Sequence, residues 1–132
     1  MGCNYRIVEA SVLKEHEAVR DDYLQKLAED IKKDGVIRLP ILADEETGVI
    51  LDGHHRYRAL LLLGCKKIPV CYVNYMSDEV EVTLWPGAVV DTITKEEVIK
   101  MGLSPDVFPP KTTRHIVHFA IKEVNIPLEN LM

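Results

Sequence analysis

Cysteine is sparse in this 132-residue chain: Cys3, Cys65 and Cys71, an odd count with no C-x-x-C pair, which argues against a disulfide framework or a zinc knuckle. The three read as small buried hydrophobes in a reducing compartment. Long apolar runs are missing too, so no segment is expected to span a membrane. The start, Met1-Gly2-Cys3-Asn4-Tyr5-Arg6, lacks the apolar core of a signal peptide, and a cytoplasmic location is the expectation. Nor is there a basic surplus: the formal net charge is −5. Duplex-DNA binders neutralise phosphates with Lys and Arg, so duplex DNA is not an expected partner. A small anion held by a few converging cations fits better. No internal repeat or low-complexity tract divides the chain, and residues 1–132 read as one domain.

What is present is an ordinary globular mixture, 47% hydrophobic and 28% charged. Ile7-Val8 and Ser11-Val12-Leu13 read as a short strand or its approach. A helix capped by Asp21 or Asp22 runs to about Lys33, with Leu24, Leu27 and Ile31 on one face and Asp34-Gly35 as its stop. Strands are expected at Pro40–Ala43, Gly48–Leu51, Ile68–Tyr75 and Val80–Leu84. Asp52 is expected to cap a second helix that Gly64 ends, and Thr94-Lys95-Glu96-Glu97 is a capping box opening a third. Pro105, Pro109 and Pro110 make a stiff connection to the C-terminal segment. The fold class is α+β, a compact domain with a small mixed sheet flanked by helices.

The stretch Asp52-Gly53-His54-His55-Arg56 sits where a strand gives way to a helix. A helix N-terminus presents unpaired N–H groups and the positive end of its dipole, a ready anion site. An N-cap reading explains Asp52 and Gly53, but not two histidines and an arginine on a turn where cations oppose the dipole. Adjacent helical residues point about 100° apart, which disfavours His54 and His55 as a zinc pair. No protein-ligated metal site is therefore assigned. Lys111-Thr112-Thr113-Arg114-His115 is a second candidate anion site, with threonine hydroxyls, backbone N–H groups and a guanidinium within five residues. Glu17 and Trp85 read in isolation as solvated surface and core. Two anion sites in one small domain suggest phosphoryl transfer, outside the folds that carry a Walker A or kinase glycine-rich loop.

Together these motifs resemble the ParB/sulfiredoxin superfamily, and within it the archaeal free L-serine kinases, along nearly the whole chain. The matching stretches are Leu13 to Glu17, Asp52 to Arg56, the strand ending in Trp85, Thr94 to Val98, and Pro110 to His115. The resemblance implies transfer of a phosphoryl group from ADP or ATP, with Mg2+ bridging the phosphates, to free L-serine. The product would be O-phosphoserine for cysteine biosynthesis. It implies Glu17 as general base, Asp52 in the catalytic turn, and Asp52, Gly53, His54, His55 and Arg56 as the nucleotide-phosphate turn. Trp85, Lys111, Thr112, Thr113, Arg114 and His115 would hold serine and its product. Two features depart from those kinases: nine positions separate Trp85 from Thr94 where they carry a longer segment, and Tyr57 stands where they carry tryptophan. His54 replaces the cysteine a sulfiredoxin needs, which removes the nucleophile of sulfinic-acid repair. The alternative is a ParB-like nucleotide-binding regulatory module without turnover. The sequence leaves the oligomeric state open.

Overall fold

The computed structural model describes residues 4–132; Cys3 and the Met1-Gly2 start lie outside them. The central sheet has four strands in the order β1-β5-β3-β4. β1 (Tyr5–Glu9) pairs antiparallel with β5 (Lys67–Val73), and β5 runs parallel to β3 (Ile41–Asp44). β3 returns antiparallel as β4 (Ile50–Asp52). The turn between them is closed by Asp44, whose Oδ2 accepts from the Thr47 N–H at 3.1 Å and the Thr47 hydroxyl at 2.7 Å. Gly48 ends this turn at φ 77°, and a Cβ there would meet the Val12 carbonyl oxygen at 2.4 Å.

Strand alternation divides the interior in two. Ile41, Ala43, Ile50, Ile68 and Val70 pack with α1 (Asp21–Asp34) and α2 (His54–Leu62). Leu42, Val49, Leu51, Cys71 and Val73 pack on the other face with Val98 of α3 (Lys95–Gly102) and Val80 of β6 (Val80–Leu84). β6 forms an antiparallel ladder with β7 (Thr113–Val117), setting Leu84 opposite Thr113. A two-residue pair, β2 (Val36–Ile37) with β8 (Ile126–Pro127), tethers the C-terminal segment to the end of α1. Among the described residues no helix is long and apolar enough to cross a membrane.

Several expectations need correction. Residues Ala10–Val12 form a 3-10 turn rather than a strand. α1 is preceded by Arg20 without a side-chain cap; Asp21 and Asp22 lie inside its first turn, where carboxylates favour the dipole. Asp52 does not cap α2. It closes β4, and the cap is Gly53, at φ 98° and with no side-chain hydrogen bond. β5 stops at Val73, short of the expected Tyr75. Cys71 is disulfide-bonded, correcting the reading of three free thiols, whereas Cys65 is free and buried. The capping box at Thr94 is formed as expected: the Glu97 N–H donates to Thr94 Oγ1 and the Thr94 N–H to Glu97 Oε1, both at 3.2 Å.

Candidate active site

A cleft of about 550 Å3 opens where the end of β4, the first turn of α2, the first half of α1 and the start of β7 converge. It is lined by Glu17, Asp52, Gly53, His54, His55, Arg56, Trp85, Lys111, Thr113, Arg114 and His115, so the two separated motifs meet there. Thr112 does not line it. That side chain is buried, and its hydroxyl donates to the Pro109 carbonyl at 2.7 Å. A larger open groove, about 1010 Å3, lies elsewhere over β1 and Glu45-Glu46 and shares none of these residues.

Gly53 shapes one wall. Its positive φ turns β4 into α2, and a Cβ there would come within 2.9 Å of the Arg56 Nη2. That nitrogen donates to the Pro40 carbonyl at 3.2 Å and lies 3.9 Å from Asp52 Oδ2. Arg56 is thus held across the β4–α2 turn, with a buried Nε that has no protein partner. Asp52, at the end of β4, keeps its carboxylate largely open to solvent.

The histidines do not supply the positive charge their sequence suggests. His54 is buried, and its Nε2 accepts from the backbone N–H of His16 at 3.2 Å. His55 Nε2 accepts from the Arg20 N–H at 3.0 Å, and its ring meets Tyr23 edge-on. An imidazole that accepts through one nitrogen is neutral or bonded against its charge. Burial pushes the pKa of His54 well below the ordinary histidine range, with His16 and His115 adding to the effect. Burial likewise lowers His16 to about 4 and His115 to about 3. The three form a layer beneath the cleft, with ring centroids 4.6 Å (His16–His54) and 5.7 Å (His16–His115) apart. His115 Nε2 pairs with the Tyr75 hydroxyl at 2.8 Å. Cationic charge in the cleft therefore comes from Arg20, Arg56, Lys111 and Arg114.

The second motif also differs from its expectation as an exposed anion-binding turn. Lys111 adopts φ 58°, and the backbone beyond it aims successive N–H groups at a carboxylate from the same chain. Glu17 Oε1 accepts from the Thr112 N–H at 3.2 Å, the Thr113 N–H at 2.7 Å and the Thr113 hydroxyl at 2.9 Å. The anion in this nest is Glu17 itself. Short bridges between Glu17 and Phe108 seat the loop against the strand approach. Burial nevertheless dominates, raising the Glu17 pKa above the ordinary glutamate value, while the Thr113 and Thr112 donors pull it back. Arg114 remains in the cleft and lies 5.0 Å over the Trp85 ring, a cation–π contact.

Three contributors escaped the sequence reading: His16, Arg20 and Tyr23. Arg20, just before α1, and Tyr23, in its first turn, line the cleft, and His16 lies behind it against Thr113; nothing in their local spacing marks them.

The family of the ParB N-terminal domain matches residues 4–85, from the start of β1 to Trp85, and so includes the whole β4–α2 turn. The chain belongs to that family. An ATP-dependent L-serine kinase from Staphylothermus marinus is 32% identical over 103 residues, 74% of this chain and 41% of the relative. A ParB-like protein from Sulfolobus acidocaldarius is 42% identical over 84 residues, 62% of this chain and 42% of the relative. The chain thus spans about two fifths of the length of these curated relatives. Among solved structures, a free serine kinase variant in complex with ADP superposes with a TM-score of 0.90 at 20% identity, covering 100% of this chain and 95% of that one. At that identity the likeness establishes the shared α+β fold.

Proposed function

We propose that this protein is a kinase acting on free L-serine, transferring a phosphoryl group from ADP or ATP to give O-phosphoserine. The observation that carries the reading is the meeting of Glu17 with the N-terminal turn of α2 in one cleft, among Arg20, Arg56, Lys111 and Arg114. The nucleotide phosphates would lie on that turn, against its N–H groups and Arg56. Serine would lie towards Trp85, with its carboxylate on Lys111 or Arg114. Glu17 would then take the proton as the serine Oγ–H bond breaks. The new O–P bond forms, and the nucleotide leaves with the electrons of the broken P–O bond. A carboxylate whose proton affinity burial raises is suited to that role, which typically contributes about 10²–10⁴-fold. Guanidinium and ammonium groups already aimed at the cleft would stabilise charge on the transferred group without reorganisation.

Mg2+ would neutralise and orient the phosphates. Among the described residues no group of three or more His, Cys, Asp or Glu side chains could hold a metal. Asp52 is the solvent-accessible carboxylate on the cleft wall, so the ion's other ligands would be phosphate oxygens and water. This donor set suits Mg2+, which keeps water and seldom takes an all-protein cage. The relatives named ATP- and ADP-dependent L-serine kinases support nucleotide and serine as the substrates; a cytoplasmic enzyme supplying phosphoserine for cysteine biosynthesis is part of the same proposal.

A second reading, a nucleotide-binding module without turnover, draws on the likeness to the ParB-like protein. Glu17→Gln separates the two. Purified protein with Mg2+, L-serine and ADP or ATP is followed by phosphorus NMR. The kinase reading expects phosphoserine from the unaltered chain, and a fall of about a hundredfold or more in the variant with nucleotide affinity preserved. Nucleotide bound but no phosphoserine from either donor would favour the binding module.

A further inference from the structure

Beneath Glu17 three short contacts run in series. His16 Nδ1 lies 2.7 Å from the Ile50 carbonyl oxygen, His16 Nε2 lies 2.8 Å from Thr113 Oγ1, and Thr113 Oγ1 lies 2.9 Å from Glu17 Oε1. Each needs one proton to be a hydrogen bond. The Ile50 carbonyl can only accept, so Nδ1 must carry the imidazole proton and Nε2 of a neutral His16 is bare. Thr113 brings a single proton. With Glu17 ionised there are two protons for three contacts, and His16 Nε2 or Glu17 Oε1 goes without.

We infer that Thr113 and His16 form a hydroxyl switch that sets the proton affinity of Glu17, resting on the reading of Glu17 as the base. While Glu17 is ionised, the Thr113 O–H points to its carboxylate, and His16 Nε2 faces a lone pair. Once Glu17 takes the proton from the acceptor hydroxyl, Oε1 becomes a weaker acceptor that keeps its two backbone N–H donors. The Thr113 hydroxyl rotates, and its proton goes to His16 Nε2. No bond to hydrogen breaks in the switch; one hydroxyl turns. The buried, unsatisfied acceptor thus exists before proton abstraction and is relieved after it, so proton uptake by Glu17 is favoured. His16 and Thr113 are positioning residues in this scheme. Burial keeps His16 from charging and so from ending the frustration by itself.

Other titratable and charged groups line the same cleft as Glu17. Arg20 approaches from before α1; Asp52, His54, His55 and Arg56 from the β4–α2 turn; Lys111, Arg114 and His115 from the β7 side. The cations favour the ionised form, and none is touched by changes at Thr113 or His16.

The test is a carbon and nitrogen NMR titration of the full chain, following the Glu17 carboxyl and the His16 ring nitrogens. In the unaltered protein the His16 Nε2 resonance should move at the Glu17 midpoint without reaching the imidazolium position. In Thr113→Val that movement should vanish. The Glu17 midpoint should also rise modestly, because the ionised form loses a charge-assisted bond while the protonated form loses only the neutral bond to His16. Thr113→Ser should restore both features. His16→Phe, where it folds, should lower the midpoint, the opposite sign. A His16 resonance indifferent to Glu17, or one that still moves at the Glu17 midpoint in Thr113→Val, would overturn the switch. The base reading stands or falls separately, on turnover in Glu17→Gln, since the titration needs no turnover.

Discussion

The demand on Gly53 can be isolated by comparing it with Gly64. Both adopt left-handed backbone, at φ 98° and 90°. Alanine in that region costs about 1–2 kcal/mol, partly offset by about 0.4–1 kcal/mol from a less flexible unfolded chain. Gly64→Ala adds nothing further, because no atom lies within 4 Å of its Cβ position. It should cost about 1 kcal/mol, or roughly 3–5 °C in Tm. Gly53→Ala carries the same backbone strain and also places a methyl 2.9 Å from Arg56 Nη2, 3.3 Å from its Cζ and 3.4 Å from Ile41 Cγ1. Arg56 must swing away, giving up its bond to the Pro40 carbonyl and its proximity to Asp52. A partly buried bond to a charged donor adds about 1–2 kcal/mol, so the total is roughly 2–3 kcal/mol, or about 6–12 °C. Calorimetric melting and nucleotide titration on both variants measure the difference. Nucleotide affinity should fall tenfold or more in Gly53→Ala, because a guanidinium aimed at phosphate is displaced, and should be unchanged in Gly64→Ala. Equal melting shifts with unchanged affinity in both would refute the assignment of Arg56 to the phosphate turn.

Stability should fall on acidification. Burial holds His16, His54 and His115 below their unfolded value of 6.5, so the unfolded chain binds more protons between about pH 6.5 and the folded values. Their contribution is complete above pH 6.5 and is lost as pH drops towards 4 and then 3, each imidazole adding a slope of up to about 1.4 kcal/mol per pH unit. Glu17, raised by burial, opposes this above its unfolded value but is one group against three. A melting temperature at pH 5 equal to or above that at pH 7.5 would show that these rings are not held neutral. In the acceptor half of the cleft, Arg114→Ala should raise the acceptor KM more than Trp85→Ala, which removes only the ring beneath the guanidinium, a contact worth about 0.5–1 kcal/mol. Neither should change nucleotide affinity; a matching loss in nucleotide affinity would move Arg114 to the donor side. Arg114→Lys should rescue poorly, since an ammonium cannot reproduce a stacked planar fork.

Strand alternation, the helix at Asp21–Asp34 and the Thr94 cap were legible because each depends on residues a few positions apart. That Asp52–Arg56 and Lys111–His115 act together was suggested by their shared anion-binding character, but their meeting in one cleft was not legible in local pattern, since roughly sixty positions separate them. What misled was charge. Lys111 to His115 looks like a place for an outside anion because the sequence displays its donors and cations but not the acceptor that meets them. That acceptor, Glu17, lies 95 positions from Thr112 and 96 from Thr113. The histidines misled for the same reason: His54 and His55 look cationic until the backbone N–H groups of His16 and Arg20 are found pointing at their nitrogens. Both errors have one physical source. A donor-rich or titratable segment specifies a bond without naming the partner, and a buried partner from the same chain wins over solvent or ligand because leaving it unpaired would cost about 1–3 kcal/mol. In this cleft the internal partner does not remove the function. It takes one face of the Glu17 carboxylate and fixes it in the wall, so that under the proposed kinase reading a ligand would meet a base already oriented rather than a loop still to be ordered.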